Sequence, residues 1–379
     1  MTTQELVHGL AGIPAAESSI SFIDGAAGLL AYRGHRIETL AEHASFEEVA
    51  WLLLKGSLPT RSELDDFRSE LAKRRALPEE LVTLLSGLPK SGHPMNALQV
   101  AFAGLGMVNS KVDVKDEASK EEAVLRILAA TPTLIATAER VRAGHDYLAP
   151  EEDLDTAGNF LWMLNGKRPS DIAQRILDCC LVLHAEHTMN ASTFAARVVA
   201  STESDPYTVA SAATGALFGA LHGGANERVL QQLETIDGLE SVKAWVDEKM
   251  ATKGKVMGFG HRVYKTKDPR SFQLQKLARE LFEAEGSTPI YDIALALESE
   301  VVAHLGEKGI HPNVDFFSGI VYQKLGIPTD VFTPIFAMAR VSGWLAHYVE
   351  QMRDNRLFRP GQIYVGAHDA EWVPIDQRG

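Results

Sequence analysis

The sequence predicts a mostly α-helical protein: a multi-helix large domain, a smaller helical domain and a short β element near the N-terminus. Three observations carry this. Apolar residues recur at spacings of three and four along most of the chain, as on one face of a helix. Alternating strand patterns and βαβ spacing are missing beyond the first forty residues, and no fixed-period repeat appears. The chain has 379 residues, 45% hydrophobic and 23% charged, an ordinary globular balance that excludes disorder and collagen-like repeats.

The opening differs from the rest. Residues 19–25 and 28–34 read as two short strands around an Asp-Gly/Gly turn. From Ile37 the pattern turns helical, with Ile37, Leu40, Ala41, Ala44, Val49, Ala50 and Leu53 on one face. Ser45 with Glu48 three residues on predicts a capping box that starts the second part of this run. Helical patterns follow at 61–73, 79–86, 95–108, 120–143, 155–164, 170–186, 191–202, 206–220 and 226–235. Later ones lie at 241–252, 270–285, 290–305, 318–325 and 334–351. The stretch from 223 to about 314 is more charged and is bracketed by Gly-rich and Pro-containing turns. The expected division is therefore a large domain from 1–222 and 315–379, with a small domain at 223–314.

Charge and cysteines narrow the class. Thirty-seven basic against 50 acidic residues give a net charge of −13, which argues against nucleic-acid or anionic-membrane partners. A few converging arginines can still take a small polyanion. The two cysteines, Cys179 and Cys180, are neighbours and build no disulfide framework, so a reducing interior is expected. The apolar segment 331–349 is broken by Pro334, Arg340 and His347, which excludes a plain membrane span. No signal-peptide pattern opens the sequence, and a cytoplasmic protein is expected.

Four histidine settings could do chemistry. His222 lies in Leu221-His222-Gly223-Gly224-Ala225-Asn226-Glu227, just before a helix start whose dipole disfavours the charged ring. A neutral imidazole there can donate a hydrogen bond to a carbonyl; the bland reading is a glycine-rich connector. His261 lies in Gly258-Phe259-Gly260-His261-Arg262-Val263-Tyr264-Lys265, followed by Asp268-Pro269-Arg270. The G-x-G there lacks the rest of the dinucleotide fingerprint, so it reads as a loop for an anionic, carbonyl-bearing ligand or as a solvated basic turn.

His184 and His187 sit three apart at the end of an apolar helix. They read as core histidines, as substrate contacts or as a metal pair, and the third and fourth ligands of a zinc site are not found at recognisable spacing. Asp315, between Val314 and Phe316, reads either as a base strengthened by apolar surroundings or as a helix N-terminal residue. Arg340 in an apolar helix and Arg359 near Arg353 and Arg356 fit either structural ion pairs or the binding of a di- or tricarboxylate. The set lacks a nucleophile elbow, a P-loop and a metal site. It suits proton abstraction next to a carbonyl and addition of the enolate to a second carbonyl.

These residues resemble the citrate synthases. The loop from Gly258 to Arg270 matches the family's signature in full, and the segments around His222, Glu186-His187 with Asn190-Ala191-Ser192-Thr193, and Pro312-Asn313-Val314-Asp315 match its other landmarks in order. The likeness runs from the N-terminal strands to Arg359-Pro360. It implies two helical domains that close over the substrates. By position Asp315 would be the base on the acetyl-CoA methyl, His222 the donor to the thioester oxygen, and His261 the group polarising the oxaloacetate carbonyl. His187, Arg270 and Arg340 would hold oxaloacetate carboxylates, with Arg359 supplied by the second subunit of a homodimer. Val256, Gly258, Gly260, Arg262, Lys265 and Asn313 would contact CoA, Lys265 standing where longer members carry Arg. No metal and no cofactor beyond the acetyl-CoA substrate are implied, and NADH inhibition is not expected of so compact a chain. The rivals are 2-methylcitrate synthase, which uses propionyl-CoA, and a non-catalytic helical metal- or CoA-binding protein.

Overall fold

The computed structural model describes residues 6–109, 111–261, 263–264 and 266–378. Strand β1 (Ser21–Asp24) pairs antiparallel with β2 (Leu29–Tyr32), Ser21 opposite Tyr32 and Asp24 opposite Leu29. The Asp24 carboxylate accepts the N–H groups of Ala26 and Ala27 and so closes the turn. A third strand, β3 (His35–Arg36), pairs back onto β2. Two residues are too few to show alternation, so the sequence gives no warning of it.

Helices fill the rest. The run after Ile37 divides into α1 (Ile37–His43) and α2 (Phe46–Lys55), and both arms of the Ser45–Glu48 capping box form at the break. Then come α3 (Arg61–Ala72), α4 (Glu79–Ser86), α5 (Pro94–Val108), α6 (Glu117–Arg142), α7 (Thr156–Asn165) and α8 (Asp171–His184). They continue with α9 (Ala191–Ala200), α10 (Pro206–Phe218), α11 (Ala225–Leu233), α12 (Val242–Ala251), α13 (Pro269–Glu285) and α14 (Pro289–Leu305). The last two are α15 (Val314–Lys324) and α16 (Phe332–Arg353). Most start where a Ser, Thr, Asp or Asn side chain accepts a backbone N–H of the first turn, as at Asp116, Asp155, Ser170, Asn190 and Thr288.

The difference that matters most is α15. Its helix begins at Val314, four residues before the predicted start, because Asn313 caps it by accepting the N–H of Asp315. Asp315 is therefore a first-turn residue.

Helix α16 is the axis of the molecule. It is buried from Phe332 to Tyr348 and packs on α2, α5, α6, α8, α9 and α10. Helix α12 packs on α14, α11 lies on α15, and α13 bridges α15 to α1 and α8. One continuous apolar cluster joins these groups, from Ile20 and Phe46 through Val229 and Leu297 to Trp344. From Asp354 to Arg378 the chain is largely exposed and carries no helix or strand apart from a single turn at Ile375–Gln377. Both cysteines are free and buried in α8. Among the described residues no helix is long and apolar enough to cross a membrane.

Candidate active site

Four separate segments converge beside the middle of α16. The first is the turn after α8, where His184 to His187 is held against Tyr32. The Tyr32 hydroxyl donates to the Glu186 carbonyl at 2.8 Å and accepts the Glu186 N–H at 3.3 Å. His187 Nε2 lies 3.2 Å from the Tyr264 hydroxyl and its ring centroid is 5.4 Å from that of His261. Burial, with Arg270 and Arg340 nearby, holds the His187 ring far below the usual histidine range, so it stays neutral.

The second segment is the loop from Gly258. Gly258 takes φ +82°, and an added Cβ there would press on Phe316 and Val229, so only glycine lets the loop lie this close to α15. Backbone bonds stitch the loop to 311–313: Gly260 N–H to the His311 carbonyl at 2.9 Å and Asn313 N–H to the Gly258 carbonyl at 2.9 Å. The Asn313 side chain adds a bond to the Gly260 carbonyl at 2.9 Å while its oxygen caps Asp315. One asparagine thus fixes His261 relative to Asp315.

His261 carries its proton on a defined nitrogen. Its Nδ1 accepts the backbone N–H of Val263 at 3.0 Å and of Tyr264 at 3.2 Å, so the proton sits on Nε2. Burial and the nearby Arg270 lower its pKa to about 4. A neutral Nε2–H donor results.

His222 is the mirror case. Its Nε2 accepts the Ser192 N–H at 3.3 Å and lies 2.9 Å from the Ser192 hydroxyl. That hydroxyl accepts the Trp344 indole N–H at 3.1 Å and shares its own proton between Asn190 Oδ1 at 2.8 Å and His222 Nε2, so Nε2 is met by donors from both groups of Ser192. The backbone donor places the His222 proton on Nδ1. Burial, reinforced by Arg340, lowers its pKa to about 4.

Asp315 is the carboxylate of the group. Burial pushes its pKa up to about 6, against the pull of Arg270 and Arg340. A carboxylate so raised is a better proton acceptor and is still largely ionised at neutral pH.

The cations complete the site. Arg340 is buried in α16, donates from Nε to the His184 carbonyl at 2.8 Å, and stacks over Phe336 at 4.7 Å. Its Nη2 is buried without a partner, which is costly unless a ligand anion takes it. Burial brings its pKa down to about 10, so it remains charged. Arg270 makes a two-point pair with Asp268, at 3.0 and 2.8 Å, which holds the carboxylate low despite burial.

The structure therefore brings together His187, His222, His261, Arg270, Asp315 and Arg340. Gly258, Gly260 and Asn313 form the floor of the loop, and Val256 is buried beside it. Arg359 stands apart, exposed in the segment after α16, with no hydrogen bond or ion pair among the described residues. Arg262 and Lys265 lie outside the described residues. His184 does not form a metal pair with His187: its Nδ1 donates to the Cys180 carbonyl at 2.8 Å, and among the described residues no cluster of three metal-ligating side chains occurs. Ser192 and Tyr264, which fix two of the rings, went unnoticed in the sequence although both lie inside the quoted motifs. A cavity of about 420 Å³ among Trp51, Phe67, Val124 and Arg353 shares no lining residue with this site.

Comparison with known proteins decides what the arrangement belongs to. The family described as "Citrate synthase, C-terminal domain" matches residues 9–361. The chain belongs to the citrate synthase family. It is 50% identical to a citrate synthase of Synechocystis over 379 residues, covering all of this chain and 96% of that one. It is 46% identical to the citrate synthase of Acidithiobacillus ferridurans, with both chains covered completely. Among solved structures it is similar to citrate synthase from Pyrobaculum aerophilum, with TM-score 0.92, 40% identity and coverage of 98% and 95%. It is also similar to that of Thermoplasma acidophilum, in ternary complex with carboxymethyl coenzyme A and oxaloacetate, with TM-score 0.93, 32% identity and coverage of 99% and 100%. The activity is that of a citrate synthase, an acyltransferase: acetyl-CoA condenses with oxaloacetate, and citryl-CoA is hydrolysed to citrate and CoA. Propionyl-CoA as the preferred substrate is not favoured.

Proposed function

We propose the following division of labour. Asp315 removes a methyl proton from acetyl-CoA while His222 donates from Nδ1 to the thioester oxygen, so the carbanion forms as an enol and not as a free charge. His261 donates from Nε2 to the ketone of oxaloacetate and makes its carbon electrophilic. His187, Arg270 and Arg340 hold the carboxylates, and the unpartnered Nη2 of Arg340 is the donor kept free for them. The observation that carries this reading is the opposite proton placement on the two catalytic histidines, each set by backbone N–H groups. Neutral donors cannot protonate Asp315 prematurely.

The rest of the reading extends the family resemblance. Residues 223–314 act as a small domain hinged on the remainder, and closure excludes water until carbon–carbon bond formation is complete. CoA contacts are assigned to Val256, Gly258, Gly260 and Asn313, with Arg262 and Lys265 as the candidates for its phosphates by their place in the sequence. No cofactor takes part. Arg359, exposed and unpaired among the described residues, serves the site of a partner in a homodimer, and exposed Leu357, Val365, Trp372 and Ile375 in the same segment supply apolar surface for that contact. Two reduced, buried cysteines and a charge of −13 fit a cytoplasmic enzyme.

The test is Asp315→Asn, with CoA release counted by chromatography and oxaloacetate binding followed by calorimetry. Turnover should fall roughly 10³-fold, with oxaloacetate affinity kept within about threefold. Turnover within tenfold of the wild type would remove Asp315 from the base role.

A further inference from the structure

The β1–β2 hairpin touches both histidine segments that face oxaloacetate. At its open end the cross-strand pair Ser21 and Tyr32 brackets His187. The Ser21 hydroxyl donates to Glu186 Oε1 at 3.1 Å and accepts the Thr188 N–H at 3.2 Å, while Tyr32 holds the Glu186 backbone on the other side. At its turn end Gly25 lies flat against the backbone of Val263: an added Cβ would overlap the Val263 carbonyl oxygen. Gly28, at φ +65°, meets the Thr266 methyl in the same way.

The Val263 carbonyl and the Tyr264 N–H belong to one rigid peptide plane. That N–H is one of the two donors to His261 Nδ1. Whatever tilts the carbonyl tilts the donor, and with it the ring. We propose that Gly25 is a positioning residue for His261: its missing side chain lets the hairpin turn brace the Val263–Tyr264 peptide and keep the Nε2–H of His261 aimed at the oxaloacetate ketone. This rests on the role assigned to His261 above. Gly25 touches no substrate. Its effect runs through one peptide plane, and Asp24 supports it by ordering the turn through Ala26 and Ala27.

The readout is the polarisation of the ketone itself, as the carbonyl stretch of carbon-13-labelled oxaloacetate bound to the full-length enzyme, together with steady-state constants. Gly25→Ala should move the stretch back toward the free-ligand value and lower kcat/KM for oxaloacetate about tenfold, with KM for acetyl-CoA unchanged. Gly34→Ala is the structural control, since Gly34 has φ +88° in the next turn of the same sheet, between β2 and β3, with open space around it. It should cost stability and leave the stretch untouched. If Gly25→Ala does not fold, Asp24→Ala loosens the same turn and should shift the stretch in the same direction by a smaller amount. An unshifted stretch in folded Gly25→Ala, or in Asp24→Ala where that is the variant measured, overturns the proposal, as does an equal shift in Gly34→Ala. His261→Ala separates the two levels: if it leaves the stretch unchanged, the role given to His261 is wrong, whereas a shift there without one in Gly25→Ala refutes only the bracing.

Discussion

Asn313 bonds Gly260 with its amide nitrogen and Asp315 with its amide oxygen, at 2.9 and 3.0 Å. The loop that carries the ketone-polarising histidine and the helix that carries the base are thereby joined through one side chain. Asn313→Asp removes one of these bonds and sets two acceptors against each other, because a carboxylate has no donor for the Gly260 carbonyl. It should lower kcat roughly tenfold while the fold survives, as checked by kinetics beside circular dichroism.

The pH profile follows from the neutral rings. His222 and His261, both near 4, stay uncharged across the working range, so they contribute no limb above pH 5. Asp315, near 6, must be ionised to act. The acid limb of kcat/KM for acetyl-CoA should therefore fall near pH 6. A limb near 4 would show that the buried carboxyl is not raised.

The same shift makes Asp315 a burden on the fold. Its folded pKa lies above the ordinary 3.8, so the folded state takes up its proton more readily than the unfolded chain. The penalty is full above pH 6 and is relieved as pH falls through 6 toward 4. Asp315→Asn, while inactive, should thus gain stability at pH 7.5, on the order of 1–3 kcal/mol, read from urea unfolding. Equal stability would mean the carboxylate is better solvated than its burial implies.

Arg340 cannot be replaced by another cation. Lysine would lose both the bond to the His184 carbonyl and the fork that meets a carboxylate at two points. Arg340→Lys should raise KM for oxaloacetate roughly 100-fold, with KM for acetyl-CoA nearly unchanged.

A second acidic group affects stability away from the site. Asp178 and Asp155 are both pushed up by burial and by the nearby Glu47, which accepts from Thr156 at 2.9 and 2.7 Å. Raised carboxyls mean that the folded state binds extra protons, so stability should decline as pH rises above the ordinary carboxylate range. Asp178→Asn keeps an acceptor for the Phe46 N–H and should flatten that slope, as followed by thermal unfolding across the range.

Whether Arg359 acts across a dimer is decided by mixing two dead variants. Arg359→Ala and Asp315→Asn co-expressed form mixed dimers in which one site has both residues intact if Arg359 is supplied by the partner. About a quarter of wild-type activity should return. None returns if each subunit uses its own Arg359.

The sequence was most legible where function is written in short motifs. His187, His222, His261, Arg270, Asp315 and Arg340 were all marked by their neighbours, and the structure brings them together. Their proton placement was not legible. For His222 it depends on Ser192 across 30 residues, and the seating of the His261 loop depends on Asn313 meeting Gly260 across 53, contacts that no local pattern records. The start of α15 was missed for a related reason: the cap at Asn313 is also a tie to another loop, and the segment reads as a turn until its partner is present. Most helices were legible because they bury one apolar stripe, and the two-residue β3 was not because it is too short to have one.

Cys179 and Cys180 have a practical consequence. Burial pushes the Cys179 thiol up to about 12 and raises that of Cys180 strongly as well, so neither supplies thiolate to a disulfide dye while the molecule is folded. A colorimetric assay of released CoA reads product alone. In denaturant the same two side chains become a built-in clock, for their rate of labelling reports how often α8 opens to solvent.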